Sequence, residues 1–180
     1  MKEPLKKIES GENIVWITQP KEIEKLLRRK STALNIAKGK INDSGGKIET
    51  AIQTAEAFGR GLFAERIRKN TNEWTMETWL KPVADKIFNP LGTAAAFTEI
   101  TKDKAKSFVF RYPINDEELK EPYLSSLFTY GFLRGVFLSA FPNGAIILNR
   151  SMAEGAQMDE FIFKTDIENE EINESKMTKD

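Results

Sequence analysis

Apolar residues recur at helical spacing in several stretches of the chain, with charged residues between them. From about 47 to 69, small or apolar residues occupy every third or fourth position, which predicts a long amphipathic helix. A second helix is predicted from about 75 to 88, and the breaker residues Asn-Pro-Leu-Gly at 89–92 are expected to end it. A third predicted helix covers 122–140, with Pro122 in its first turn.

Other stretches are rich in β-branched and aromatic residues, and turn-forming or charged residues separate them. Five such stretches predict strands, at 14–18, 95–100, 106–112, 145–151 and 159–165. The last four form two pairs, each joined by a short loop, and each pair is typical of a hairpin. Hairpins produce antiparallel pairing. We therefore expect an α/β domain of the α+β type, with an antiparallel sheet of about four strands packed against a layer of helices.

The pattern divides the chain into three parts. Residues 1–44 are interpreted as an N-terminal extension that contains a strand and a helical stretch beginning at Pro20. Residues 45–165 form the predicted domain. Residues 166–180 contain six acidic and two basic residues and few apolar ones, which predicts a disordered acidic tail.

The composition excludes several kinds of chemistry. The chain has 180 residues, 27 basic and 27 acidic, and this balance argues against a nucleic-acid partner, which would require a basic face. It contains no cysteine and no histidine, so disulfides and the two preferred zinc ligands are excluded. General acid–base catalysis near neutrality also loses its commonest residue. These absences argue against an enzyme, and we expect no cofactor.

The distribution of apolar residues also bears on location. No apolar run approaches the roughly 18 residues that a transmembrane helix requires. The N-terminal sequence MKEPLKKIESGENIVW is charged and lacks the apolar core of a signal peptide. We therefore expect a soluble cytoplasmic protein without a transmembrane segment.

Two segments near the C-terminus carry a family resemblance. They read YGFLRGVF, from residue 130, and NGAIILNRSMAEGAQMDEFIF, which ends at residue 163. They resemble the 4-vinyl-reductase domain family, a branch of the fold shared with core subunits of the TRAPP vesicle-tethering complex. In that family a hairpin carries two cysteines, separated by three residues, a glycine and three more residues, with a phenylalanine two positions after the second cysteine. The corresponding residues here are Ser151, Gly155, Asp159 and Phe161. The resemblance covers about residues 45–165.

The resemblance implies a TRAPP-like fold, a homodimer and a pocket for a hydrophobic or aromatic ligand. It also shows a departure, because family members that bind zinc use the two cysteines. Serine is a poor zinc ligand, Asp159 alone cannot hold the ion, and Leu148 stands where some members have a glutamate ligand. We therefore predict that this chain binds no zinc.

The aromatic helix at 122–140 is the main candidate for ligand binding. We expect it to form part of an apolar cavity, and the alternative is that its rings fill the core. The candidate ligand-binding residues are Phe128, Phe132, Arg134, Phe137 and Trp79. Arg134 is a candidate partner for a carboxylate or phosphate, but pairing with a surface glutamate is the commoner fate of such a residue. Trp79 could cover the pocket or act as a packing anchor.

Gly131 and Gly135 are spaced to allow close approach of another helix, either within the chain or in a dimer. The leading functional hypothesis is a non-catalytic, dimeric binding or sensory module for an apolar small molecule or lipid. The alternative is a TRAPP-like dimerising scaffold for protein partners in trafficking or assembly. An enzyme such as a tetrapyrrole vinyl-group reductase or a cyclic-amino-acid hydrolase, as relatives are named, is the weakest of the three hypotheses.

Overall fold

The computed structural model describes residues 15–17, 32–67, 73–111 and 123–167. Within these ranges the chain forms four principal helices, a short 3₁₀ helix at Met152–Glu154 and five strands. The strands are β1 Val15–Ile17, β2 Ala94–Thr98, β3 Lys104–Arg111, β4 Ala145–Arg150 and β5 Asp159–Lys164. The principal helices are α1 Thr32–Asp43, α2 Ile48–Arg66, α3 Met76–Val83 and α4 Leu124–Leu138. The predicted α+β class is confirmed.

All five strands belong to one antiparallel sheet in the order β1-β2-β3-β5-β4. The two predicted hairpins, β2–β3 and β4–β5, are both present. They join through β3 and β5, where Val109 lies opposite Asp159 and Ala105 lies opposite Phe163. Ala105, Phe163 and Phe161 are buried on one face of the sheet, which therefore faces the helices.

The third helix extends beyond its regular α-helical part, α3. Thr75 caps its start, because the Thr75 side chain accepts from the Thr78 N–H while the Thr75 N–H donates to the Thr78 hydroxyl. Beyond Val83 the helix continues through a π-helical turn, Ala84–Phe88, and a last turn, Asn89–Leu91. Gly92, with a φ of 74°, then ends it in the left-handed conformation.

Helices α2 and α4 pack with their backbones close together. A β-carbon on Gly131 would lie 2.5 Å from the Ile52 carbonyl oxygen, and one on Gly135 would overlap the Glu56 carbonyl. A β-carbon on Gly59 would in turn meet the backbone of Phe132. The glycine spacing therefore serves a contact within the chain, which was one of the two alternatives for Gly131 and Gly135.

The N-terminal extension takes part in the same fold. Strand β1 pairs with β2, and three residues of α1 are buried in the common core, namely Leu34, Ala37 and Ile41. The predicted helical segment around 21–30 and the tail beyond 167 lie outside the described residues. None of the helices in the described part of the chain is long and apolar enough to cross a bilayer.

Candidate functional site

The structure places four of the five predicted ligand-binding residues in the aromatic core. Trp79, Phe128, Phe132 and Phe137 are each 0% exposed. The rings of Trp79 and Phe137 meet edge to face, with centroids 5.3 Å apart, and those of Phe128 and Phe132 stack at 6.4 Å. Such contacts stabilise aromatic pairs beyond the area they bury. Their role in ligand binding remains a prediction.

Arg134, the fifth predicted residue, lies at the surface between α4 and α2. Its side chain is 44% exposed, and its Nε lies 3.3 Å from Glu56 Oε2. The other oxygen of the same carboxylate is 2.8 Å from Arg60 Nη2. Arg134 therefore has the pairing with a surface glutamate that the sequence left open as its alternative role.

An open groove lies between α1 and α2, with a volume of about 450 Å³. Its lining consists mainly of apolar or small side chains from the two helices, joined by one lysine, one glutamine and one threonine. These residues are Ile36, Ala37, Lys40, Gln53, Thr54, Ala57 and Phe58. Ligand pockets commonly have volumes of roughly 300–1,000 Å³ and the same mixture of apolar walls and a few polar groups.

Phe58 connects this groove to the aromatic core. Its ring lies 6.0 Å from that of Phe128 and 5.8 Å from that of Phe132, measured between centroids. One side of Phe58 is therefore part of the groove wall, while the other contacts two of the predicted ligand-binding residues. The aromatic helix thus lies directly behind the groove without contributing to its lining.

A buried polar cluster joins α4 to the β4–β5 connection. The Ser126 hydroxyl donates to Asp159 Oδ2 at 3.0 Å and lies 3.0 Å from the Ser151 hydroxyl. Because the Ser126 proton is directed to the carboxylate, the Ser151 hydroxyl donates to Ser126. The Met152 N–H donates to Asp159 Oδ1 at 2.6 Å. Ser126, Ser151 and Asp159 are all buried, so these bonds replace the hydrogen bonds that water would make.

Ser151 and Asp159 are the residues that the resemblance places at the two cysteine positions. Both contact Ser126, a residue that the sequence did not single out. In the described part of the chain, no group of three or more histidine, cysteine, aspartate or glutamate residues is arranged to hold a metal ion. Absence of zinc binding remains a prediction, which metal analysis of protein prepared without chelators would test.

Sequence reasoning missed the groove because it assigned α1 to an extension of the domain. One signal was present in the sequence. Leu34, Ala37 and Ile41 form the buried stripe of α1, whereas Ile36 lies off this stripe and is 58% exposed. An isoleucine outside the buried face of an amphipathic helix leaves apolar surface in contact with water; single residues of this kind are common on protein surfaces, so Ile36 becomes informative only beside the groove.

The resemblance to the 4-vinyl-reductase domain family remains a prediction, based on the spacing of Ser151, Gly155, Asp159 and Phe161. The structure gives the conformation of this motif: Gly155 has a φ of 91° in the connection, and the Phe161 side chain is in the core. Comparison of the chain with protein-family models, with curated proteins and with solved structures found no match.

Proposed function

We propose that this chain is a non-catalytic binding module for an apolar small molecule, which it holds in the groove between α1 and α2. The observation that carries the proposal is a groove of about 450 Å³ with mainly apolar walls, closed on one side by Phe58. Because Phe58 packs on Phe128 and Phe132, the wall is supported by the buried aromatic core. A supported wall reduces the ordering that binding requires.

The chemistry of the lining favours binding over catalysis. Lys40 is the one ionisable side chain among the described residues that line the groove. General acid–base catalysis normally needs a donor and an acceptor of protons within hydrogen-bond reach of the substrate. The groove therefore offers a shaped apolar surface but no pair of groups for proton transfer.

The proposal includes membership of the 4-vinyl-reductase domain family and assembly into a homodimer. The order of helices, hairpin, helix and hairpin in the structure agrees with the order on which the resemblance to the 4-vinyl-reductase domain family rests. On that basis we propose a TRAPP-like fold, a homodimer and a cytoplasmic location. Sedimentation analysis of the purified chain would test the dimer.

Binding can be tested with the neutral apolar dye phenylnaphthylamine, whose fluorescence rises in an apolar site. Ala57 and Ala64 are both exposed alanines of α2, but only Ala57 lines the groove. We expect Ala57→Gln to weaken dye binding roughly tenfold, equivalent to about 1.4 kcal/mol, because the longer side chain occupies the groove. Ala64→Gln is the matched control and should bind like the parent protein.

Two results would contradict the proposal. One is the absence of saturable dye binding by the folded parent protein. The other is equal dye affinity in Ala57→Gln and Ala64→Gln, which would mean that the dye binds elsewhere.

A dimerising scaffold for protein partners is the second candidate function. It is favoured by the exposed apolar side chains of Ile36 and Ile48, on α1 and α2, because such residues contribute to protein interfaces. In that case Ile36→Asp should shift the sedimentation coefficient to that of a monomer. The same change at Ile147, an exposed isoleucine of β4, should leave it unaltered. A small-molecule site predicts no such difference.

A further inference from the structure

The charge of the groove indicates the class of ligand that it would bind. This inference rests on the proposed binding function. Lys40 lies in the last turn of α1, and among the described residues of the lining it is the one charged side chain. Its four-carbon stem can lie along the apolar wall while its ammonium group stays at the rim. A bound neutral molecule would leave this charge without any role in recognition.

The other polar residues of the lining make the lysine the main donor for an anion. One N–H of the Gln53 amide donates to Glu49 Oε1 at 2.9 Å, which leaves its second N–H as a neutral donor. Glu49 itself does not belong to the lining. Thr54 can add one hydroxyl group. An anionic group in the groove would therefore find the Lys40 ammonium as the one charged donor of the described lining, with the Thr54 hydroxyl and one Gln53 N–H as neutral donors.

We infer that the ligand is an amphipathic monoanion, with an apolar body against Phe58 and Ile36 and a single anionic group paired with Lys40. Lysine is a compact point charge and does not impose the two-point geometry of an arginine fork. The site therefore accepts the shared chemistry of one negative charge on an apolar body, and a carboxylate and a sulfonate both satisfy it.

A matched pair of dyes tests the inference. Anilinonaphthalene sulfonate and phenylnaphthylamine share the same aromatic body, but only the first carries a negative charge. We expect Lys40→Met to weaken binding of the anionic dye by about three- to fivefold, the usual size of an exposed ion pair, and to leave the neutral dye unaffected. Lys81, in the last turn of α3, is the control: Lys81→Met should change neither affinity.

Ionic strength provides an independent measurement of the same pairing. Raising the salt to roughly 0.5 M shortens the screening length to a few ångströms, so the parent protein should lose its preference for the anionic dye. The Lys40→Met variant should show little salt dependence for either dye. A preference that survives both the substitution and the salt would overturn the assignment of Lys40.

Competition experiments identify the apolar body. Decanoate and naphthoate, each compared with its neutral alcohol, can be used to displace phenylnaphthylamine. An acid that competes better than its alcohol supports an anionic ligand, and the stronger of the two acids shows whether the body is alkyl or aromatic. If both alcohols compete as well as their acids, the inference fails while the binding function stands. If the neutral dye does not bind at all, the proposed function itself fails.

Discussion

The Arg66 side chain donates a hydrogen bond of 3.1 Å to the backbone carbonyl of Lys86. In a regular α-helix this carbonyl would accept from the N–H of residue 90, but that residue is a proline and has none. Arg66, the last residue of α2, thus donates to the Lys86 carbonyl in place of the N–H that Pro90 lacks. The same region of the third helix contains the π-helical turn Ala84–Phe88.

We expect Arg66→Met to lower the free energy of unfolding by about 1 kcal/mol, the usual net value of one hydrogen bond. Glu65→Met, at the exposed neighbouring position, is the control and should cost less than about 0.5 kcal/mol. Urea unfolding of both variants provides the measurement. Equal values for the two variants would show that the Arg66 bond contributes nothing.

Gly135, in the α2–α4 contact, and Gly61, outside that contact on α2, predict opposite effects of the same substitution. Gly135→Ala should destabilise the protein by about 1–3 kcal/mol, because its β-carbon would overlap the Glu56 carbonyl and the helices would have to separate. Gly61→Ala, in α2, meets no atom within 4 Å and should stabilise by about 0.5–1 kcal/mol through helix propensity. Thermal unfolding distinguishes the two. A stabilising Gly135→Ala would contradict the close packing.

The buried cluster predicts coupling between Ser126 and Asp159. Asp159→Ala should cost about 3 kcal/mol, because it leaves the Met152 N–H and the Ser126 hydroxyl without their acceptor. Ser126→Ala alone should cost about 1–2 kcal/mol, and the double variant less than the sum of the two. Asp103→Ala, at the exposed β2–β3 turn, is the control. Strict additivity in urea unfolding would show that the two side chains do not interact.

Phe132→Ala separates the two roles considered for the aromatic helix. Because Phe132 is 0% exposed and packs on the rings of Phe58, Phe88 and Phe128, we expect a loss of about 3–5 kcal/mol. Phe58 is half-buried at the groove wall. Compared with Phe132→Ala, Phe58→Ala should therefore destabilise the protein less but weaken dye binding more. A small loss of stability in Phe132→Ala, together with lost dye binding, would show instead that the helix lines the ligand site.

Much of the fold could be predicted from local patterns. The helix expected at 47–69 is observed as Ile48–Arg66, and the strand expected at 159–165 as Asp159–Lys164. These elements are specified by periodicity and by turn residues close in the sequence. Pairing between the two hairpins depends on which strand edges meet after the helices pack, and no local signal specifies it.

The site was harder to predict for a related reason. The aromatic density of α4 indicated a large apolar surface, but only the packing of α2 through Gly131 and Gly135 shows that this surface is covered. The groove requires two helices that the sequence assigned to different parts of the chain. Likewise, helix propensity does not predict the π-helical turn after Val83.

The insertion of β5 between β3 and β4 has a consequence for synthesis on the ribosome. Val109 of β3 pairs with Asp159, so fifty further residues must be translated before that edge of the first hairpin acquires its neighbour. At roughly 5–20 residues per second this takes about 3–10 s, during which the nascent β3 edge is available to other chains. Lys104 and Lys106 lie on β3, and lysines on an open edge discourage such pairing. These lysines would therefore protect the nascent chain during this interval, before the native sheet exists.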